Sequence, residues 1–246
     1  MTLSEDFVAA AGSVTGREHR RAERDGQDGH AVVVTDEVVA VIVTDGCSSG
    51  RSSEIGARIG AGWLAALVEQ HFGAASSDVG HRARAVVREL VARLDSLARS
   101  LDARGDVSAA HVDNALLFGF LAAVVTRETA IVFGVGDGIV VVDGNVSVID
   151  PGPANAPPYA AYALLGARIE PTIHFVGTTR DVDVVAVTTD GLAPLATAGA
   201  LAALAADARY AKNPSLLRKR LVVLSHEGTF SDDATVGVVR RRSVPS

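Results

Sequence analysis

Four aspartates stand where apolar runs meet turns. Asp28 lies in "GQDGH" just before a Val-rich run, Asp45 ends "VIVTDG", Asp190 ends "VAVTTDG", and Asp232, followed by Asp233, opens "FSDDATVGVV". If these runs are neighbouring strands, the four carboxylates converge at one end of the sheets. Such a cluster repels itself and resists ionisation unless a cation neutralises it. Oxygen-only donors favour a hard ion, Mg²⁺ or Mn²⁺, over zinc. Gly follows both Asp45 and Asp190, and without a Cβ the backbone can bend sharply and bring a carbonyl close to an ion. Two ions a few ångströms apart can activate a bridging water for in-line attack on phosphorus. A single Asp-Gly pair is first of all a turn; the weight rests on the ordered set.

The elements that must position these groups follow from hydropathy and turn residues. Apolar runs at 30–35 and 38–44, split by "DE", predict a hairpin. After "DGCSSGRS", Ser52 or Ser53 caps a helix to about residue 71, and a Gly- and Ser-containing break at 73–80 precedes a longer helix to about 103. Residues 115–149 read as a strand meander whose connections carry Arg-Glu, Gly-Asp-Gly and Asp-Gly-Asn. "DPGPANAPPYA" at 150–160 is a Pro-rich loop, 171–177 and 182–189 are further strands, and "DATVGVVRR" is the last. Residues 192–224 have helical composition, restarting with Asn213 as N-cap and Pro214 at the first helical position. The opening "TLSEDFVAAAG" reads as one helix with Ser4 as N-cap. Tight turns between consecutive strands imply antiparallel sheets, and strands apolar on both faces require helices to cover them.

Composition narrows the function classes. The chain has 246 residues, of which 48% are hydrophobic and only 4% aromatic, so Val, Ala and Leu must build the core. Acidic residues exceed basic ones by 29 to 23, a net charge of −6, which argues against neutralising many phosphates of a nucleic acid. The arginines between 82 and 104 fall at helical spacing, as on a solvated face. One cysteine, Cys47, permits no internal disulfide and no thiolate metal cluster. No basic start leads into an apolar leader, and the apolar run around 192–206 is short and broken by Gly and Pro. The expectation is a cytoplasmic protein, with neither membrane nor nucleic acid as a partner.

Taken in order, the motifs resemble those of the metal-dependent serine/threonine protein phosphatases of the type 2C family, in its compact bacterial branch. "GREHRRAERDGQDG" is similar to that branch's opening, Gly-x-x-His followed by Gln-Asp; "VTDGCSSGRSSEIGAR" to its Asp-Gly and Ser-Glu-x-Gly-Ala motif; "FGVGDG" to its Gly-Asp motif; "VTTDGL" and "FSDDATVGVV" to its two closing motifs. The resemblance spans about residues 12–240 of a single domain. It implies an α+β fold, a four-layer α-β-β-α sandwich of two antiparallel sheets flanked by helices. It implies two Mg²⁺ or Mn²⁺ ions, with Asp45 bridging them, the Gly46 carbonyl on one, Asp190 and Asp232 on the first metal, and Asp28 holding metal or water at the other. Asp137 is either a ligand of a third ion or a turn residue of Gly-Asp-Gly. Gln27 and Asp233 support the ligands from behind. Arg21 or Arg20 is the expected phosphate-binding cation, and His19 is either a proton-transfer group or a structural hydrogen-bonding one.

The chain departs from the family pattern at four points. Gln27-Asp28 stands where many members have Glu-Asp; "NALLFGFLAAVV" replaces the usual Gly-Thr-Thr start; Cys47 replaces the His that follows Asp-Gly in eukaryotic members; and only about 150–168 is available for the mobile flap of larger members. Two readings of function follow. One is a phosphatase for phosphoserine and phosphothreonine in proteins, with a partner Ser/Thr kinase as a regulatory contact. The other is a catalytically weak or inactive domain of the same fold, acting as a regulatory interaction module.

Overall fold

The computed structural model describes residues 2–73, 78–153 and 156–242. Among the described residues, ten strands form two antiparallel five-stranded sheets. The first sheet runs in the order β2 (Gly29–Val34), β3 (Val38–Gly46), β4 (Phe118–Thr126), β5 (Thr129–Val135), β8 (Thr172–Thr178). The second runs β1 (Phe7–Val14), β10 (Ala234–Arg241), β9 (Val184–Thr188), β6 (Gly138–Val142), β7 (Asn145–Ile149).

The continuous apolar runs are explained by burial on both faces. In β3, Val39, Val41 and Val43 pack between the sheets against Val185, Val187 and Val239. Their neighbours Val38, Ala40 and Ile42 face outward, under Ala57, Leu64 and Leu67 of the helix Ser53–Phe72 and Leu90 and Leu94 of the helix Val79–Leu101. The second sheet repeats the arrangement. Ala186, Val236 and Val238 pack under Leu195, Leu201, Leu217 and Leu221, the last two from the helix Ser215–His226. The result is the four-layer α-β-β-α sandwich. Branched side chains suit it because they fill a pleated surface with little rotamer freedom to lose.

Three expectations are corrected. The N-terminal segment is helical only over Leu3–Asp6, with Thr2 rather than Ser4 at the N-cap, and Phe7–Val14 is a strand paired along β10. Its alanines favour a helix locally. Tertiary packing wins, because Phe7 and Ala9 reach the core between the sheets while Ala10 reaches the outer cluster. The meander is two hairpins in different sheets, β4–β5 in one and β6–β7 in the other. The chain changes sheet at Gly136-Asp137-Gly138, where both glycines have left-handed φ, +115° and +133°. Residues 192–211 form short turns of helix rather than one long one, and Gly199 at φ +70° interrupts them. The next helix starts at Ser215, so Pro214 is its N-cap rather than its first residue, and Asn213, one position further out, accepts the Ser215 N–H through Oδ1 at 3.2 Å. The hairpin 29–46 and both long helices match expectation, although the break at 73–80 lies partly outside the described residues, as does the middle of the Pro-rich loop.

Among the described residues no single helix is long and apolar enough to cross a membrane.

Candidate metal centre

Strand register brings the aspartates together. β2 pairs with β3 through Gly29 and Thr44, and one step beyond that pair Asp28 stands across from Asp45. Asp45 itself pairs with Gly119 on β4. In the other sheet Thr188 of β9 faces Val236 of β10 and Ile139 of β6, so the segments just beyond carry Asp190, Asp232 and Asp137 to the same rim. All five line one cavity of about 310 Å³, together with His19, Gln27, Gly46, Cys47, Asp233, Tyr159 and Tyr162.

The loops are fixed by side chains. Thr189, buried, donates through Oγ1 to Asp28 Oδ2 at 2.9 Å and accepts the Thr235 N–H at 3.1 Å. It thus ties the loops of Asp28, Asp190 and Asp232 to one another. Asp233, also buried, accepts from the backbone N–H of Gly16 at 2.7 Å and of Gln27 at 2.6 Å, and from His19 Nδ1 at 2.8 Å. The glycines after the aspartates serve close approach between segments. A Cβ on Gly46 would lie 2.6 Å from the Gln27 carbonyl oxygen, and one on Gly191 would lie 1.8 Å from that of Asp233.

The electrostatics are those of a site built for positive charge. Burial pushes Asp45 well above the usual carboxylate range, and the charges of Asp28, Asp190, Asp137 and Asp232 add to it. Asp28 is raised by burial and by Asp233 and Asp232, against hydrogen bonds from Thr235 and Thr189. Asp190 is raised by burial and by Asp232, with Asp45 and the backbone of Gly191 acting against them. Asp137 is raised by burial and by Asp190. Five carboxylates lining one cavity must share protons or cations. A second sign is Gln27, only 2% exposed. Its Nε2 is committed to the Gly50 carbonyl at 2.9 Å and Ser53 Oγ at 2.6 Å, which leaves the buried Oε1 without a partner. A buried carbonyl oxygen left unpaired costs about 1–3 kcal/mol. The aspartate carboxylates and the Gln27 Oε1 form an oxygen-rich donor set that fits divalent hard cations, with His19 and Cys47 the only nitrogen or sulfur ligands lining the cavity among the described residues.

The arginines anticipated for phosphate do not line the cavity. Arg20 is turned the other way: its guanidinium donates to the Thr15 carbonyl and to Ser225 Oγ, the latter at 2.8 Å. Arg21 is exposed on the same short helix. His19 does line the cavity. Three contributors escaped the sequence reading, namely Thr189 and the pair Tyr159 and Tyr162, whose rings lie 5.5 Å apart. The signal for the tyrosines was rarity, since the chain has only 3 and two fall in "PPYAAY". Between them Ala160 and Ala161 are fully buried in the core, so this short segment forms a fixed wall of the cavity.

Two antiparallel sheets, flanking helices and a carboxylate rim define a four-layer sandwich with a candidate cation site at one edge. The family model for protein phosphatase 2C matches residues 15–231, and the chain belongs to that family. No curated protein sequence matches it. Among solved structures it is similar to the serine/threonine phosphatase Stp1 from Staphylococcus aureus, with 12% identity, TM-score 0.64 and 96% of each chain covered. It is similar also to PppA of Pseudomonas aeruginosa, with 14% identity, TM-score 0.65 and coverage of 96% of this chain and 98% of the other. The catalytic domain of the phosphatase PstP, in complex with two manganese ions, aligns at 16% identity and TM-score 0.61, covering 97% and 99%. At these identities the likeness is one of fold.

Proposed function

We propose that the protein is a Mg²⁺- or Mn²⁺-dependent phosphatase for phosphoserine and phosphothreonine in proteins. The observation that carries this reading is the convergence of Asp28, Asp45, Asp137, Asp190 and Asp232 on one cavity at the rim of the two sheets. Asp45, Asp190, Asp232, Asp28 and the Gly46 carbonyl would hold two ions, with Asp137 at a third. Bound there, the ions supply an activated water and neutralise charge developing on the phosphoryl oxygens. The chain's own groups orient the reaction. Thr189 and Asp233 fix the carboxylate loops with respect to each other, so the ligands need no rearrangement to meet a cation. Tyr159, Tyr162 and Cys47 line the same cavity as the carboxylates.

A phosphorylated protein is the proposed substrate, and a Ser/Thr kinase that forms it is the matching partner. The test is hydrolysis of an aryl phosphate and of a phosphopeptide with Mn²⁺. Asp45→Ala should abolish both, and equal activity in that variant would sink the assignment. Calorimetric titration with Mn²⁺ separates this from the interaction-module reading, which expects no ion bound at the rim.

A further inference from the structure

We infer that the edge of the sandwich beside β1 is a docking groove for an extended acidic segment of a partner protein, which adds to β1 as a further strand. β1 ends one side of its sheet, and among the described residues no strand pairs along its outer edge. Such an edge presents a row of open N–H and C=O groups, which another extended backbone can satisfy. The first half of β1, Phe7–Ala10, is buried, whereas Ala11, Ser13 and Val14 are partly open. The helix Ser215–His226 lies directly against that second half: a Cβ on Gly12 would stand 2.8 Å from Arg218 Cα. Two adjoining cavities, about 400 and 470 Å³, follow this line and share Arg218 and Val222. Arg20 spans the walls, donating to the Thr15 carbonyl and to Ser225 Oγ, and so holds their spacing.

Charge selects the occupant. The chain has a net charge of −6, yet Ser215–His226 carries Arg218, Lys219 and Arg220 and no acidic residue. Among the described residues none of these three enters a salt bridge. Arg218 and Lys219 line the groove, and Val222 and Val223 give it apolar surface. On the other side of β1 packs β2, the edge strand of the facing sheet. Val33 of β2 is buried under the helices, so Val32 and Val34 point the opposite way and are 42% and 49% exposed. Successive side chains of a strand point to opposite faces. A strand added to β1 therefore turns one set toward Arg218 and Lys219 and the other toward Val32 and Val34. The segment that fits alternates acidic and apolar residues. A nucleic acid would meet the cations but neither the open backbone edge nor the valines.

The experiment measures binding to the full chain of a fluorescein-labelled peptide of alternating Glu and Val. Its Lys-Val counterpart, a labelled single-stranded oligonucleotide and vesicles of phosphatidylcholine with phosphatidylserine are compared with it. The Glu-Val peptide should bind saturably and the Lys-Val peptide should not. Charge reversal by Arg218→Glu with Lys219→Glu should weaken the Glu-Val peptide at least about tenfold, while Arg84→Glu with Arg88→Glu should change it by less than about twofold. The second pair makes the same change of net charge at exposed positions of the helix Val79–Leu101. Hydrogen exchange should slow at the Ala11–Val14 amides when the peptide is bound, a readout that diffuse ionic attraction would not move. The inference is overturned by no saturable binding of the Glu-Val peptide, by equal binding in the reversed variant, or by unchanged exchange in β1. Tighter binding of the oligonucleotide or the vesicles than of the peptide overturns it too, since the surface would then be a general anion site. No step of this test reads hydrolysis, so its outcome is separate from that of the phosphatase reading.

Discussion

Oδ2 of Asp233 lies 2.6 Å from the backbone nitrogen of Gln27, joining the loop before the last strand to the loop that delivers Asp28 across 206 residues of sequence. Oδ1 of the same carboxylate takes the Gly16 N–H. With each oxygen accepting a backbone donor, an amide at this position leaves one buried N–H facing an NH₂ group. Asp233→Asn is therefore expected to lower stability by about 1–3 kcal/mol, the cost of an unsatisfied buried donor. Urea unfolding midpoints check this, and equal midpoints would show that the clamp contributes nothing.

The raised carboxylates set the pH dependence of the metal-free protein. Asp28, Asp45, Asp137 and Asp190 all hold protons more tightly when folded than an aspartate of the unfolded chain, which titrates near 3.8. The folded state then binds more protons above that value, so stability falls as pH rises through the window between the two states. Carboxylates lowered by their partners, such as Asp95 beside Arg99, act in the opposite sense below 3.8, and His30 and His174, lowered by burial, oppose the trend within the window as two groups against four. The metal-free protein should melt at a lower temperature near about pH 7.5 than near about pH 5, with Mn²⁺ reversing the loss. Asp45→Asn should flatten the pH profile and raise the metal-free melting temperature. A profile that rises toward neutral pH would contradict the repulsion described for the rim.

What was legible beforehand was local. Asp45 and Asp190 were readable because an apolar run ending on Asp-Gly gives both the strand and its terminus within a few residues. Two things were not, and both depend on distant partners. Arg20 and His19 are adjacent, yet Ser225 turns one outward while Asp233 draws the other into the cavity. The strand Phe7–Val14 reads as helix by propensity, and only its pairing with β10 reverses that. Tyr159 reaches the site because Ala160 and Ala161 anchor a Pro-rich segment in the core, which composition alone does not reveal.

Gly191 tests how tightly the Asp190 turn is packed. An added Cβ would meet the Asp233 carbonyl oxygen at 1.8 Å, and neither backbone can yield without moving a proposed ligand. Gly191→Ala should cost at least about 1–3 kcal/mol of stability and weaken Mn²⁺ binding together with it. Gly62 is the control: it sits in the helix Ser53–Phe72 with nothing within 4 Å of its Cβ position. Gly62→Ala should stabilise by roughly 0.5–1 kcal/mol. Thermal melts of both variants decide the matter, and a neutral Gly191→Ala would mean the turn relaxes freely.

Cys47 is the chain's only cysteine, so thiol labelling reports on one site beside Gly46. Burial pushes its thiol up, but the Ser49 hydroxyl at 3.1 Å, the nearby Tyr159 phenol and the backbone of Ser49 and Gly50 outweigh this and bring it below the usual value. Tyr159 is itself pushed upward, chiefly by burial and by its bond to Cys47, so the phenol keeps its proton and acts as a donor. Replacing the phenol by a benzene ring removes one of the bonds that stabilise the thiolate while keeping the wall's shape. Tyr159→Phe should slow alkylation of Cys47 by iodoacetamide at neutral pH several-fold, because the thiolate is the reacting species. Ser49→Ala should act in the same direction through its own contact, 3.1 Å from Sγ. The rates are followed by intact mass. An unchanged rate in Tyr159→Phe would mean that the phenol does not reach the sulfur, and that the wall touches the ion-binding rim through packing alone.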